Sequence, residues 1–446
     1  MQRAIGKTEF ADLMSNVGPF ERNPRVAVGC SGGADSMALA LLLNDWCRRQ
    51  GGTVHALVVD HRLRAGSTAE AQSVAAELSR NGISAEILQR VGPKPSRDIQ
   101  AEARNARYAL LEDWCATNRC LHLCMAHHRD DQAETLLLRL ARGSGIDGLA
   151  AMAPVSETRI CRVVRPLLSV PAGRLRATAI RRGARIVEDP SNRDRAFARV
   201  RMRALGVSLA AEGMSPQRLA ATANHAARAR SALEAATAAL LARGAIVYEE
   251  GYARLSVHEL RDAPEEIGLR ALSRLVQCAG GNAYPPRLDR LERLYGWVRT
   301  GEREGGRTLH GCRIVWRGGT LLICRETAAA REKQAARGEV FWDGRFRLSF
   351  GARGVGEVRR LGQEGWRLAV AAKPELRRGP TPPAVRTSLP AIWKDDRLYH
   401  VPHLRLALDG GGHVTKKGAI PVCFAPRQPL APARFTLQIG GYTLFK

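Results

Sequence analysis

The chain has 446 residues, 45% of them hydrophobic, and its 69 Lys and Arg outnumber its 43 Asp and Glu, which leaves a net charge of +26. This length predicts two or three domains, and no apolar stretch approaches the ~20 residues of a membrane span. The N-terminus has acidic residues and no apolar block, so we predict a cytoplasmic protein without a secretory signal or a membrane partner. The positive charge predicts a polyanionic partner, with nucleic acid as the leading candidate.

Strand-like and helix-like segments alternate over residues 24–190. Strands are predicted at residues 25–29, 53–59, 84–88 and 120–126. Helices are predicted from the turn after the first strand to residue 49, and at residues 67–80, 98–117 and 131–140. This alternation predicts an α/β fold with a parallel sheet and helices on both faces, of Rossmann-like type. In such sheets ligands bind at the carboxyl ends of the strands.

The sequence changes in character from about residue 206. Helices are predicted at residues 215–243, 258–277 and 286–299, and a hairpin at 307–326 around Gly318-Gly319. Residues 327–338 are small, polar and charged and are predicted to be a linker. The rest is predicted to be β-rich, with strand-like segments at residues 340–350, 366–372, 389–404 and 435–445. We therefore predict four parts: an N-terminal segment (1–22), an α/β domain (23–205), a mainly helical domain (206–330) and a β-rich domain (331–446).

The junction of the first strand and the first long helix carries the stretch SGGADS, which consists of Ser31, Gly32, Gly33, Ala34, Asp35 and Ser36. Glycines allow a phosphate to approach the backbone closely, and the helix N-terminus attracts the anion. The two serine hydroxyls can donate to phosphate oxygens. A carboxylate beside a phosphate implies a divalent cation, and Mg²⁺ fits this role. The stretch resembles the pyrophosphate loop of the N-type ATP pyrophosphatases, which implies binding of ATP.

A second polar stretch follows the predicted strand at 120–126 and contains His127, His128, Asp130 and Asp131. Because it follows a strand of the same sheet, it lies on the same edge as the loop at 31–36. Two histidines and two acids are able to bind zinc, but a carboxylate beside a loop for Mg²⁺ and ATP fits better.

Several stretches, in order, closely resemble the tRNA(Ile)-lysidine synthetase family. They are AHHRDDQAETLLLRLARGSGIDGLAAM (126–152), VVDHRLRAGSTAEAQSV (58–74), QAEARNARYALL (100–111), RPLL (165–168) and EDPSNRDRAFARVRMR (188–203). The resemblance is dense over residues 22–205 and thin beyond them. It implies an enzyme that uses ATP to adenylate the wobble cytidine of a tRNA(Ile) with a CAU anticodon. Free L-lysine then displaces AMP, and the lysidine formed pairs with A. The resemblance implies that residues 23–205 form the catalytic domain and that residues 206–330 and 331–446 form tRNA-binding domains. It assigns no oligomeric state.

The resemblance also implies roles for individual residues. Asp35 and Asp131 are expected to bind the metal and to serve catalysis. Arg104 is expected to contact phosphate or the adenylated base, and His127 the nucleotide. Three arginines after the D-P-S-N stretch are expected to face the tRNA, the second of them also the transition state: Arg199, Arg201 and Arg203. Asp189 and Asn192 are expected to order the loop before these arginines.

Three other functions compete with this interpretation. A pyrophosphate-loop tRNA thiolase also binds tRNA and adenylates a base, but it usually needs paired cysteines, and no C-x-x-C pair occurs among the ten cysteines. The scattered cysteines are predicted to be buried free thiols. An amide-forming synthetase needs a glutaminase domain or another ammonia source, and no such block is evident. A non-enzymatic RNA-binding module accounts for the charge but gives Asp35 and Asp131 no purpose.

Overall fold

The computed structural model describes residues 2–62, 66–90, 99–158, 160–187, 196–301, 305–352, 354–408 and 420–430. They form two compact units, unit 1 up to Ser231 and unit 2 from Ala232. The boundaries predicted at 22/23, 205/206 and 330/331 remain predictions. The predicted strand segment at 435–445 lies outside the described residues. No helix in these ranges is long and apolar enough to cross a membrane.

Unit 1 is built on one six-stranded sheet in the order β3-β2-β1-β4-β6-β5. Its strands are β1 (Arg25–Gly29), β2 (Thr53–Asp60), β3 (Ser84–Gln89), β4 (His122–Cys124), β5 (Val155–Glu157) and β6 (Arg162–Val164). All neighbouring strands are parallel except β5, which runs antiparallel to β6. The predicted order of elements and the predicted α/β class are confirmed.

The helices of unit 1 connect and cover these strands. They are α1 (Lys7–Ser15), α2 (Ala34–Arg49), α3 (Ser67–Arg80), α4 (Ile99–Thr117), α5 (Arg129–Leu140), α6 (Ile146–Leu149), α7 (Ala172–Arg181) and α8 (Ala198–Ala211); α9 (Pro216–Gly244) extends into unit 2. Alternate side chains of a strand point to opposite faces of the sheet. Val26 and Val28 of β1 accordingly pack with α2, whereas Ala27 packs with α4. Both faces of the sheet are therefore covered by helices.

Unit 2 contains three antiparallel sheets. The first has the order β7-β8-β11-β10-β9, the second β12-β15-β16-β17-β18 and the third β13-β14-β19. Their strands are β7 (Ala245–Tyr248), β8 (Tyr252–Ser256), β9 (Gly306–Leu309), β10 (Cys312–Arg317), β11 (Thr320–Arg325), β12 (Gln334–Ala335), β13 (Glu339–Trp342), β14 (Phe346–Ser349), β15 (Glu357–Arg360), β16 (Pro390–Lys394), β17 (Arg397–Val401), β18 (Leu406–Ala407) and β19 (Val422–Phe424).

Five α-helices lie entirely within the described residues of unit 2: α10 (Val257–Asp262), α11 (Glu265–Gly280), α12 (Leu288–Thr300), α13 (Gly362–Ala372) and α14 (Pro383–Arg386). The predicted hairpin at 307–326 is present, since Arg317 pairs with Thr320 across the Gly318-Gly319 turn. The predicted helix at 258–277 is interrupted at Pro264, which precedes α11.

Two expectations for unit 2 are wrong. Residues 366–372, predicted as a strand, belong to α13, where Gly365 and Ala369 are buried one helical turn apart. Residues 327–338, predicted as a linker, contribute strand β12 to the second sheet, and Ala330 and Ala336 are fully buried. Small side chains in these stretches serve close packing rather than flexibility.

The ten cysteines and one buried ion cluster are the other notable features of the fold. All ten thiols are free, and nine of them are buried, as predicted; Cys423 on β19 is exposed. In unit 2, Asp343 accepts hydrogen bonds from Arg325 and Arg345 at 2.7–3.1 Å. The Arg345 side chain is fully buried and also donates to the Ser388 carbonyl.

Candidate active site

The loop between β1 and α2 has a backbone shape that its first glycine makes possible. Gly32 has φ +81°, and a Cβ built on it lies 2.4 Å from Cγ2 of Val74 in α3. The Gly32 carbonyl accepts a hydrogen bond from Val187 N at 3.0 Å. Gly33 is different, because its φ is −68° and its Cβ position meets only the Ser31 hydroxyl, at 3.7 Å. Gly32 therefore fits the loop against the protein, whereas Gly33 leaves open space outside it.

Ser36 holds this loop together from within. Its hydroxyl donates to the Gly33 carbonyl at 3.0 Å and accepts from Ser31 N at 3.2 Å. The exposed Ser31 hydroxyl lies 3.4 Å from it. Ala34 and Asp35 form the first turn of α2, where backbone N–H groups have no partner within the helix. The loop therefore presents N–H groups and one serine hydroxyl at the positive end of a 16-residue helix.

Asp35 and Asp131 converge on one imidazole nitrogen. Nε2 of His128 lies 3.5 Å from Oδ2 of Asp35 and 3.4 Å from Oδ2 of Asp131. The Asp35 side chain keeps 39% of its surface exposed, whereas Asp131 keeps 15% and His128 keeps 7%. The first turns of α2 and α5 thus bring two carboxylates to the same point beside the phosphate-binding loop.

His128 is fixed there by the start of α5. As the N-cap residue, it accepts a hydrogen bond from Asp131 N on Nδ1, and its own N–H donates to the Asp131 carboxylate. Because Nδ1 accepts a hydrogen bond, the neutral ring carries its proton on Nε2, which faces the two carboxylates. Burial disfavours the charged imidazole, but the hydrogen bond to Asp35 and the charges of Asp131 and Asp35 outweigh it, so the pKa of His128 is raised.

Glu134 lies one turn further along α5, on the same face as Asp131. Its Oε1 accepts a hydrogen bond from Nε of Arg203 in α8 at 2.7 Å. No hydrogen-bond partner for its buried Oε2 occurs among the described residues. Burial raises the pKa of Glu134 even though Arg203 opposes this shift. Burial disfavours the charged guanidinium of Arg203, but its hydrogen bond to Glu134 and the charges of Glu134, Asp131 and Asp35 outweigh this effect, so the pKa of Arg203 is raised. The side chains of Asp35, Asp131, Glu134 and Arg203 therefore influence one another electrostatically.

His127 lies among three arginines. Burial lowers the pKa of His127 well below its ordinary value, and the charges of Arg165, Arg104 and Arg199 lower it further. In the part of the chain that the structure describes, its buried Nδ1 has no hydrogen-bond partner. Arg104 also lies over the Tyr108 ring at 5.2 Å. A neutral imidazole within a positive field is suited to an anionic or polar ligand.

Two other residues of the predicted stretches, Arg201 and Asp130, have partners outside this cluster. Arg199 and Arg203 are four residues apart on one face of α8, whereas Arg201 points to the opposite face, is exposed and donates to the Ala196 carbonyl. Asp130 accepts from Ala172 N at 2.9 Å and so caps α7. Asp189 and Asn192 lie outside the described residues.

Two members of the cluster were not among the predicted site residues, His128 and Glu134. His128 stood in the polar stretch, but nothing in the sequence showed that its ring reaches Asp35. A signal for Glu134 was present, because acids three residues apart share one face of a helix.

Comparison with known proteins agrees with this geometry. The family model described as a PP-loop domain matches residues 4–207. A tRNA(Ile)-lysidine synthase of Ruegeria pomeroyi is 37% identical over 399 residues, which cover 89% of this chain and 93% of the relative. The chain belongs to the tRNA(Ile)-lysidine synthase family. A second member, from Methylobacterium nodulans, is 40% identical over 73% of this chain and 97% of its own length.

Membership of this family confirms two predictions, that the chain is a PP-loop enzyme that uses ATP and that it is a ligase. A solved structure of the U34-tRNA thiolase NcsA from Methanococcus maripaludis is also similar, at 18% identity and a TM-score of 0.43. That match covers 51% of this chain and 78% of the thiolase.

Proposed function

We propose that this chain joins free L-lysine to C2 of the wobble cytidine in a tRNA(Ile) with a CAU anticodon. ATP first adenylates the C2 oxygen, and the product lysidine changes decoding and charging from methionine to isoleucine. The observation that carries this proposal is the convergence of Asp35 and Asp131 on His128 beside the phosphate-binding loop, in a chain of the lysidine synthase family.

The first step takes place at the loop from Ser31 to Ser36. The C2 oxygen of cytosine attacks the α-phosphorus of ATP, and pyrophosphate leaves. Gly33 and the N–H groups of the first turn of α2 bind the phosphates. The two carboxylates fit Mg²⁺, which typically takes one or two carboxylates together with substrate phosphates. The described ranges contain no group of three or more His, Cys, Asp and Glu that could hold a metal by themselves. Bound by Asp35 and Asp131, Mg²⁺ would neutralise phosphate charge.

The second step needs lysine with an uncharged ε-amine. The amine attacks C2, the C2–O bond breaks and AMP leaves with the oxygen. The attacking nitrogen must lose protons, and a buried carboxylate with a raised pKa is suited to accept one near neutral pH. Glu134 has these properties, and its Oε2 has no hydrogen-bond partner among the described residues. We assign it the role of base, with Arg203 holding its other oxygen.

The cytidine itself must leave the anticodon stack, because C2 is inaccessible while the base is stacked. We assign its binding to the region of His127, where Arg104 and Arg199 supply positive charge for the adenylated base. Arg203 lies on the same face of α8 as Arg199, whereas the exposed Arg201 lies on the opposite face. The proposed roles of Arg104, His127 and Arg199 rest on this proximity and on the family, and the proposed contacts of Arg201 and Arg203 with the tRNA rest on the family.

Mass spectrometry of the tRNA after reaction with ATP and isotopically labelled lysine tests the proposal. We expect a wobble nucleoside that carries the labelled lysine, together with AMP and pyrophosphate in equal amounts. A tRNA with uridine at the wobble position is the matched control, and it is expected to remain unmodified. Incorporation of sulfur from a sulfur donor, without incorporation of lysine, would support the thiolase and contradict the proposal.

A further inference from the structure

The segment between α11 and α12 presents one aromatic side chain to solvent. Tyr284 is 77% exposed and is the one aromatic residue among the exposed large hydrophobic residues of the described ranges. It is followed by Pro285 and Pro286, whose rings fix the backbone angle φ. A single exposed ring is common on protein surfaces, so its significance depends on how it is held and on the charges near it.

The backbone that carries this ring is held from several sides. Nε2 of His310 donates to the Tyr284 carbonyl at 2.9 Å, and the Gln428 amide donates to the Ala283 carbonyl at 3.4 Å. The Asn282 amide in turn donates to the His310 carbonyl at 2.8 Å. These hydrogen bonds fix the backbone from which the Tyr284 ring projects.

Three exposed arginines lie on this segment or on the chain that contacts it. Arg287 and Arg290 are at the start of α12, and Arg427, whose guanidinium lies over the Phe341 ring at 5.9 Å, precedes the glutamine that binds Ala283. One exposed acid, Asp289, lies between the first two, but it pairs with Arg293 at 3.0 Å. An exposed aromatic ring on a segment that carries exposed arginines is suited to an unpaired nucleotide, because the base stacks on the ring while the phosphates bind the cations.

We propose that Tyr284, with Arg287, Arg290 and Arg427, forms a docking surface for an unpaired nucleotide of the tRNA. The inference rests on the proposed function, which makes tRNA the substrate, and adds to it a contact in unit 2. The positive charge of the surface favours RNA over an apolar protein partner, although Leu288 beside it is also exposed.

Binding of the full-length chain to a tRNA(Ile) transcript tests this surface. Tyr284→Ala is expected to weaken binding about 10-fold, because stacking of one base is worth ~1–3 kcal/mol. Tyr284→Phe keeps the ring and should bind within about twofold of wild type on the same argument. Leu121→Ala removes an apolar side chain that is 50% exposed immediately before β4 and serves as the control in unit 1. Unchanged thermal unfolding of each variant shows that it is folded.

Two further measurements separate stacking from charge. A blunt RNA duplex without unpaired bases should bind Tyr284→Ala and wild type equally. Arg287→Gln and Arg290→Gln should each reduce the slope of log affinity against log salt by roughly 0.7 to 0.9.

Three results would overturn the inference. The first is wild-type tRNA affinity of Tyr284→Ala, and the second is an equal loss of tRNA affinity in Tyr284→Phe. The third is a change in the oligomeric mass of the free chain in Tyr284→Ala, which would assign the surface to a second copy of the chain. Formation of lysidine by the wild-type chain is measured separately, so that failure of the proposed function is distinguishable from failure of this surface.

Discussion

The carboxylate cluster at the sheet edge of unit 1 and the buried ion cluster of unit 2 both combine carboxylates with cationic side chains, but only the first remains accessible to a ligand. At the sheet edge of unit 1, Asp35 and Asp131 keep 39% and 15% of their side chains exposed and meet at His128. In unit 2, Asp343 keeps 4%, and two arginines occupy both of its oxygens. The first set of charges is left for a substrate, whereas the second set is neutralised within the fold.

The difference has a physical basis in desolvation. A buried charge is stable only beside a partner of opposite charge. If one partner is removed, the other charge stays buried without compensation, and the fold is destabilised. A half-exposed carboxylate is hydrated, so its loss costs the fold little, while its charge stays available to a bound ligand. Substitutions in the two units should therefore separate activity from stability.

The largest effect is expected from Asp35→Asn. Loss of the carboxylate removes half of the proposed metal site, and we expect the rate of lysidine formation to fall ~10³-fold, which corresponds to several kcal/mol of lost transition-state stabilisation. Thermal unfolding and tRNA affinity should stay near wild type. Asp130→Asn is the control next to the cluster, since Asp130 caps α7. Pyrophosphate release by Asp35→Asn at the wild-type rate would contradict the assignment.

Asp343→Asn should have the opposite profile in unit 2. It leaves Arg325 and the fully buried Arg345 without their carboxylate, and we expect a loss of about 3 kcal/mol in the free energy of unfolding. Asp289→Asn, which breaks the exposed pair with Arg293, should cost less than ~1 kcal/mol. Urea unfolding measures both values. Equal losses from the two variants would mean that burial of the ion cluster does not set its contribution.

Glu134→Gln addresses the proposed base. We expect lysine transfer to fall ~10²-fold, with Glu212→Gln, at the exposed end of α8, as the control. The carboxylate acts only when deprotonated, and burial raises the pKa of Glu134. The rate of wild type should therefore fall with decreasing pH at values above the ordinary range of a glutamate. A single-turnover pH series on both variants checks this, and the acid limb should be missing in Glu134→Gln but present in Glu212→Gln.

The smallest effects are expected from the two loop glycines. Gly32→Ala forces a Cβ toward Val74 at positive φ, and we expect it to destabilise unit 1 by about 1–3 kcal/mol. Gly33→Ala meets only the Ser31 hydroxyl, so it should leave stability unchanged and weaken ATP binding. Thermal unfolding and calorimetric titration with ATP measure the two effects. Similar stability of both variants would contradict the division of roles between the glycines.

The sequence predicted most of unit 1, because its elements carry strong local signals. Alternating apolar strands and amphipathic helices predicted β1 to β4 and the helices that follow them, whereas the short strands β5 and β6 were not predicted. The polar stretches after β1 and β4 marked the site, since strand ends in such sheets meet at one edge. The resemblance to the lysidine synthetase family then identified Asp35 and Asp131 within these stretches.

The remaining features depend on contacts between segments distant in sequence. No local pattern shows that His128 reaches Asp35, or that Arg203 pairs with Glu134 across two helices. In unit 2, helix α13 was predicted as a strand because its residues 366–372 combine Trp, Leu and Val with alanine. Its packing places buried residues one helical turn apart, so tertiary contacts override the local preference.

The exposure of Cys423, with the nine other thiols buried, makes the native chain suited to labelling at one site. A thiol-reactive dye at limiting stoichiometry should modify the exposed sulfur on β19 first, because reagents reach buried thiols only through local opening. Cys423 lies four residues before Arg427 in the segment that hydrogen-bonds Ala283. Fluorescence from that position would report the arrival and departure of tRNA at unit 2 in real time, without an introduced cysteine.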